Sequence, residues 1–235
     1  LLRDAKEMVE VEGLRPDLIV VSGDIAFSGQ RQEYESAGQF FDDLLKTTGL
    51  GKGQLFLVPG NHDVNRDLIS FPAEAIAAAI TDRSAGNKVL GDPASRRLVF
   101  AGFEGYAAFV NSYLDESPQF DDDAYFYVRH LPVAGRQITV LGLNSAWLSM
   151  GDEDHGRLVL GERQVRAALR ETEKDDVRIA LMHHPFDWFQ EFDRNDCEPL
   201  LRRACHFVLH GHLHQTGIMQ MMTPDAGTMV LAGGA

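Results

Sequence analysis

Four short stretches of the sequence concentrate side chains that bind cations or move protons. They are "SGD" with Asp24, "PGNHD" with Asn61, His62 and Asp63, "HHP" with His183 and His184, and "HGHLH" with His210, His212 and His214. Carboxylate and amide oxygens beside imidazole nitrogens suit borderline-to-hard cations such as Mn, Fe or Zn, and the lack of a Cys among them argues against a structural zinc site. A Gly or Pro adjoins every cluster, consistent with tight turns that let backbone and side chains approach one ion. Any single cluster could be a capped strand end. Four of them, with one donor chemistry at corresponding places, point to a metal centre.

The elements that must position these residues are short apolar runs. "DLIVV" (17–21), "LFLV" (55–58), "RIALM" (178–182) and "FVL" (207–209) read as buried strands bounded by turn residues, and each cluster lies at the end of one of them. In open α/β sheets ligands bind beyond the carboxyl ends of strands. Residues 33–45 carry Tyr34, Ala37, Phe41, Leu44 and Leu45 at helical spacing, and "GERQVRAALRET" (161–172) repeats the pattern. Residues 124–145 read as a hairpin turning at 132–135, and the tail from Thr216 as two short strands around "TPDAG". The sheet system is therefore mixed. Residues 70–120 are expected to be mostly helical, an insertion within one domain spanning 1–235.

Composition narrows the class. A hydrophobic content of 44% and a charged content of 24% are those of a globular protein, and no apolar run approaches the ~20 residues of a membrane helix. The start, "LLRDAKEMVE", has no initiator Met and reads as part of an amphipathic helix, so the chain is expected to be cut from a longer protein. Two cysteines, Cys197 and Cys205, are too few for a disulfide framework and suggest a reducing, cytoplasmic location. The net charge of −13, from 22 Lys and Arg against 35 Asp and Glu, disfavours nucleic acid as a partner, although bound metal would reverse the sign locally.

"GD", "GNHD", "HHP" and "GHLH", in this order across residues 17–217, resemble the calcineurin-like metallophosphoesterase superfamily, most closely its bacterial phosphodiesterase branch. The resemblance implies a four-layer α/β/β/α sandwich of two mixed sheets flanked by helices, with a two-metal site at the strand ends. It implies that Asp24 bridges both ions, that Asn61, His183 and His212 complete one, and that His214 serves the other. His62 would face the phosphoryl group, with Asp63 orienting its imidazole. The superfamily pattern begins with an Asp-x-His upstream of "GD", which this sequence lacks, so its N-terminal strand is expected to be missing.

Two ions ~3.5–4 Å apart can clamp the attacking and leaving oxygens of a phosphoryl transfer and lower the pKa of bound water from 15.7 towards ~7. The expected reaction is hydrolysis of a phosphodiester or phosphomonoester by a bridging hydroxide, on a nucleotide-like substrate. A nuclease subunit and a non-catalytic scaffold with a degraded site are the alternatives. Of the neighbouring pair, His183 is expected to be the ligand and His184 structural, and His210 is expected to finish its strand. His130, His155 and His206 are expected at the surface or satisfied within the fold. The aromatic stripe Phe100, Phe103, Tyr106, Phe109 and Tyr113 is expected in the core, and Asn144 to cap a strand end.

Overall fold

The structure is a computed structural model that describes residues 1–114, 120–151, 153–174, 176–213, 216–222 and 227–233. Two sheets carry it. The smaller pairs β1 (Ile19–Val21) with β2 (Leu55–Leu57) in parallel. The larger contains β3 (Tyr127–Val133), β4 (Arg136–Gly142), β5 (Val177–Leu181), β6 (Phe207–His210), β7 (Gly217–Met222) and β8 (Gly227–Ala232). Their order is β3-β4-β5-β6-β8-β7. β3–β4 and β7–β8 are antiparallel while β4–β5, β5–β6 and β6–β8 are parallel, so this sheet is mixed.

Alternation along the strands assigns each side chain to one of two apolar layers. Ile19, Val21, Leu55, Leu57, Leu141, Leu143, Ala180 and Met182 join the larger core, which they share with the helices. Leu18, Val20, Phe56, Val58, Ile138, Val140, Ile179 and Leu181 point the other way and form a second cluster between the sheets. Strands covered on both faces need apolar residues at every position, which is why they stood out as unbroken runs. Arg129 of β3 reinforces the contact by donating to the carbonyls of Leu55 and Gly53 while lying over the Phe56 ring.

Helices flank the sheets. α1 (Leu2–Glu10) packs on α2 (Glu33–Thr48), which buries Tyr34, Phe41, Leu44 and Leu45 and ends on Gly49 in the left-handed conformation that glycine adopts readily. Between β2 and β3 lie α3 (Phe71–Ala78), α4 (Arg83–Gly91), α5 (Pro93–Val99) and α6 (Glu104–Tyr113). Ser70, Asp82 and Asp92 cap the first three through side-chain oxygens. The aromatic stripe of this region is core: Phe100, Phe103, Tyr106 and Phe109 are buried and Tyr113 packs against them. α7 (Glu162–Arg170) joins β4 to β5, and α8 (Glu191–Ala204) joins β5 to β6. α8 has no counterpart in the sequence expectations, because Pro199 interrupts it and most of its residues are charged or polar. None of the described helices is long and apolar enough to cross a membrane.

Candidate metal centre

Parallel pairing puts the carboxyl ends of β1 and β2 at one edge of the first sheet, and those of β5 and β6 at one edge of the second. The two edges meet. Asp24 follows β1, and Asn61 to Asp63 form a 3-10 turn after β2. His183 follows β5, and His212 follows β6. The turns that deliver them are tight. A side chain on Gly23 would place its Cβ 2.6 Å from the Gly60 nitrogen and 2.6 Å from Nδ1 of His183. Only glycine lets the two loops approach so closely. Among the described residues three non-glycines have positive φ, and two of them are Asp24 (56°) and His212 (69°). Strain of this kind concentrates at functional sites.

His183 sits at the centre. Its Nδ1 lies 2.6 Å from the Ser22 carbonyl, which can only accept, so this nitrogen carries the proton. Burial holds its pKa below the usual imidazole range, and the nearby Asp24 carboxylate opposes that only in part. The neutral ring therefore turns a bare lone pair on Nε2 towards Oδ1 of Asn61 at 2.9 Å, Nδ1 of His212 at 3.1 Å and Oδ2 of Asp24 at 3.4 Å. Asn61 Oδ1 and His212 Nδ1 are themselves 3.0 Å apart. At most one proton, on His212, could serve these contacts. A cation would satisfy all four donors at once. Ligands ~2.1 Å from an ion in tetrahedral or octahedral array lie ~3.0–3.4 Å from one another, which is the spacing found here.

The supporting shell comes from residues that the motifs do not include. The Ser145 hydroxyl accepts the backbone N–H groups of both His183 and His184 at 3.0 Å. Trp188 packs edge-to-face on His212, with ring centroids 3.9 Å apart. These partners orient the candidate ligands. Ser and Trp occur throughout the sequence without such roles, so no local pattern marked them.

His184 is fully buried behind the centre, its Nδ1 bonded to the Ser145 carbonyl at 3.1 Å, while its Nε2 has no hydrogen-bond partner among the described residues. The ligand atoms of His183, His184 and His212 lie within 4.8 Å of one another, so the imidazole cluster itself could hold a metal ion. His210 ends β6, buried, with its ring against the Gly211 carbonyl. His214 lies outside the described residues. His130 bonds Thr139, His206 accepts the Arg178 N–H, and His155 lies 3.9 Å from Asp187 at the surface. Asn144 uses its side-chain oxygen to cap the Ala146 N–H.

His62 and Asp63, adjacent in sequence, diverge in space. The His62 backbone N–H donates to Oδ1 of Asp24 at 3.0 Å, and its Nδ1 lies 2.8 Å from the Phe27 carbonyl. Phe27, not Asp63, therefore fixes the imidazole. The expectation that Asp63 orients this ring needs correction, because the 3-10 turn carries the carboxylate inward. There it accepts from the backbone N–H groups of Ile25, Ala26 and Gly60 and from the Tyr34 hydroxyl. Burial pushes its carboxyl up to about 6, against three backbone donors that favour the charged form. Asp63 thus joins the turn after β1 to the turn after β2, and it acts on the centre through the backbone.

Residues 1–216 match the calcineurin-like phosphoesterase family. A Bacillus subtilis (strain 168) protein, described as the metallophosphoesterase-like protein YydB, is 24% identical over 216 residues, covering 85% of this chain and 41% of its own length. The chain thus spans less than half of that relative. With two sheets flanked by helices and a cation-ready cluster where their strand ends meet, the chain belongs to the calcineurin-like phosphoesterase family, whose members are metal-dependent hydrolases of phosphoesters.

Proposed function

We propose that this chain hydrolyses phosphodiesters, or phosphomonoesters, of small nucleotide-like compounds with the help of two divalent ions of the Mn, Fe or Zn type. The observation that carries this reading is the convergence of Asp24, Asn61, His183 and His212 on one point, with His62 beside it. These four residues would hold one ion, and His214 with the second oxygen of Asp24 would contribute to the other. Bound there, the ions would supply Lewis-acid activation of the phosphoryl oxygens and of water.

The chain's own chemistry centres on His62. Because the Phe27 carbonyl accepts the Nδ1 proton, the opposite nitrogen, Nε2, is the one that can meet the substrate. When protonated it can donate to a phosphoryl or leaving-group oxygen, an acid role worth about 10²–10⁴-fold in rate. Asp24 positions it by accepting the His62 backbone N–H across the two turns, and Asn61 precedes it within the 3-10 turn after β2. The net charge of −13 favours a small substrate over a nucleic acid, and the two cysteines are free and buried, in keeping with a reducing compartment such as the cytoplasm.

Hydrolysis of bis(p-nitrophenyl) phosphate by the Mn²⁺-loaded protein tests the reading. His62→Ala should lower kcat by about 10²–10⁴-fold with metal content unchanged. A metal-loaded protein that hydrolyses no ester would favour the scaffold alternative, and salt-sensitive DNA cleavage the nuclease alternative.

A further inference from the structure

Phe27 has a feature that its part in holding His62 does not require. Its main-chain carbonyl alone orients the imidazole, yet the side chain is 79% exposed and lies face-on to the His62 ring, with centroids 5.5 Å apart and planes 26° apart. The two rings lie near-parallel, and most of the phenyl surface is open to solvent. Beside it is a cavity of about 340 Å³ lined by Phe27, Gln30, Asn61, His62 and Asn65, among others. Asn61 and His62 belong to both the cavity and the candidate metal centre. A phosphoryl group held at that centre would therefore extend one of its ester substituents over Phe27.

The wall chemistry describes that substituent. An exposed aromatic face attracts flat, polarisable rings, and stacking accepts any base because every base has a π-face. Gln30, Asn65, Arg66 and Asp67 line the same cavity. The amide oxygens of Gln30 and Asn65 accept from Gln32 and from the Asp67 N–H, so this wall offers amide and guanidinium donors and a carboxylate acceptor. These suit the polar edge of a heteroaromatic ring better than a plain hydrocarbon. The volume stands at the small end of the range for ligand sites, enough for a single nucleoside. We propose that this cavity binds the nucleobase of a mononucleotide ester, stacked on the Phe27 ring. The position of the phosphate in this arrangement rests on the phosphoesterase reading above.

Adenosine 5′-monophosphate and ribose 5-phosphate, each used as its non-hydrolysable methylenephosphonate analogue, differ by the base, and calorimetric titration of the Mn²⁺-loaded full chain with each measures the contribution of the cavity without turnover. The monophosphate should bind at least about tenfold more tightly than the sugar phosphate, the effect of one stacked base. Phe27→Leu should abolish that preference, and Phe27→Trp should preserve it. Affinity for adenosine 5′-monophosphate no greater than for ribose 5-phosphate, or a preference that survives Phe27→Leu, overturns the proposal. A chain that hydrolyses bis(p-nitrophenyl) phosphate but shows no base preference keeps the proposed activity and loses this cavity. One that shows a Phe27-dependent preference but hydrolyses nothing keeps the cavity and loses the activity.

Discussion

Asp63 and Asp193 are two buried aspartates that use the same device in different parts of the molecule. Each is almost wholly removed from solvent, and burial pushes each carboxyl up to about 6. Each accepts backbone N–H groups from loops distant in sequence. Asp63 gathers Ile25, Ala26 and Gly60 with the Tyr34 hydroxyl. Asp193, on α8, accepts Leu160 and Gly161 at 2.6 and 3.0 Å and so ties the turn that opens α7, with Cys197 as a further donor. The difference lies in what each holds. Asp63 fixes the two turns that carry Asp24, Asn61 and His62, whereas Asp193 fixes a helix junction outside the centre. A carboxylate in a metal-binding motif can therefore serve it by clamping backbone, without touching ion or substrate.

Replacing Asp63 should separate the two most. Asp63→Ala leaves three buried backbone donors and the Tyr34 hydroxyl without an acceptor, and it should cost about 3–5 kcal/mol of stability. It should also abolish Mn²⁺ binding, because the turns bearing Asp24 and Asn61 lose their tie. Urea denaturation measures the first effect. The emission of Trp188, in contact with His212, reports the second. A variant that binds Mn²⁺ as the wild type does would erase the distinction drawn above.

Asp193 should show its effect in pH dependence. Its folded pKa, about 6, lies above the unprotected value of 3.8, so the folded state holds a proton that the unfolded state releases first. The stability it contributes is present below pH 3.8 and is lost as pH rises through about 6, by roughly 3 kcal/mol. Asp193→Asn should remove this share of the decline and leave the share that Asp63 contributes over the same range. The test is the urea midpoint of both proteins between pH 4 and 7, and parallel curves would refute the assignment. Mn²⁺ binding, read from Trp188 emission, should be unchanged.

The smallest effect belongs to a single bond. Tyr34→Phe removes one of the four donors to Asp63 and should cost about 1 kcal/mol, with kcat on bis(p-nitrophenyl) phosphate within a factor of two or so. A loss of activity as large as that of His62→Ala would mean that Asp63 needs its full set of donors to hold the centre.

The strands and their terminal donors were legible because strands buried on both faces leave unbroken apolar runs, and because Asp, Asn and His stand out against them. α8 was not legible. Pro199 cannot donate to its helix, and the charged residues around it hide the buried positions Asp193, Cys197 and Leu201. The motif located Asp63, but the family resemblance implied that it orients His62, whereas the 3-10 turn carries its carboxylate inward to backbone donors. Ser22 and Phe27 contribute main-chain carbonyls, an interaction that residue type does not encode. Ser145 and Trp188 act through ordinary packing and hydrogen bonding, visible only when distant loops meet.

The contacts at the centre also bear on how the molecule forms. Ser22 and His183 are 161 positions apart in the chain, Asn61 and His212 151, and Asn61 and His183 122. Closing such long loops is repaid only after both sheets exist and have packed together. The cluster is then a late product of folding, and a cation that needs all its donors finds nothing to bind in the earlier stages. Metal in the refolding buffer would leave the folding rate almost untouched and act instead on the way out, slowing escape from the finished native state.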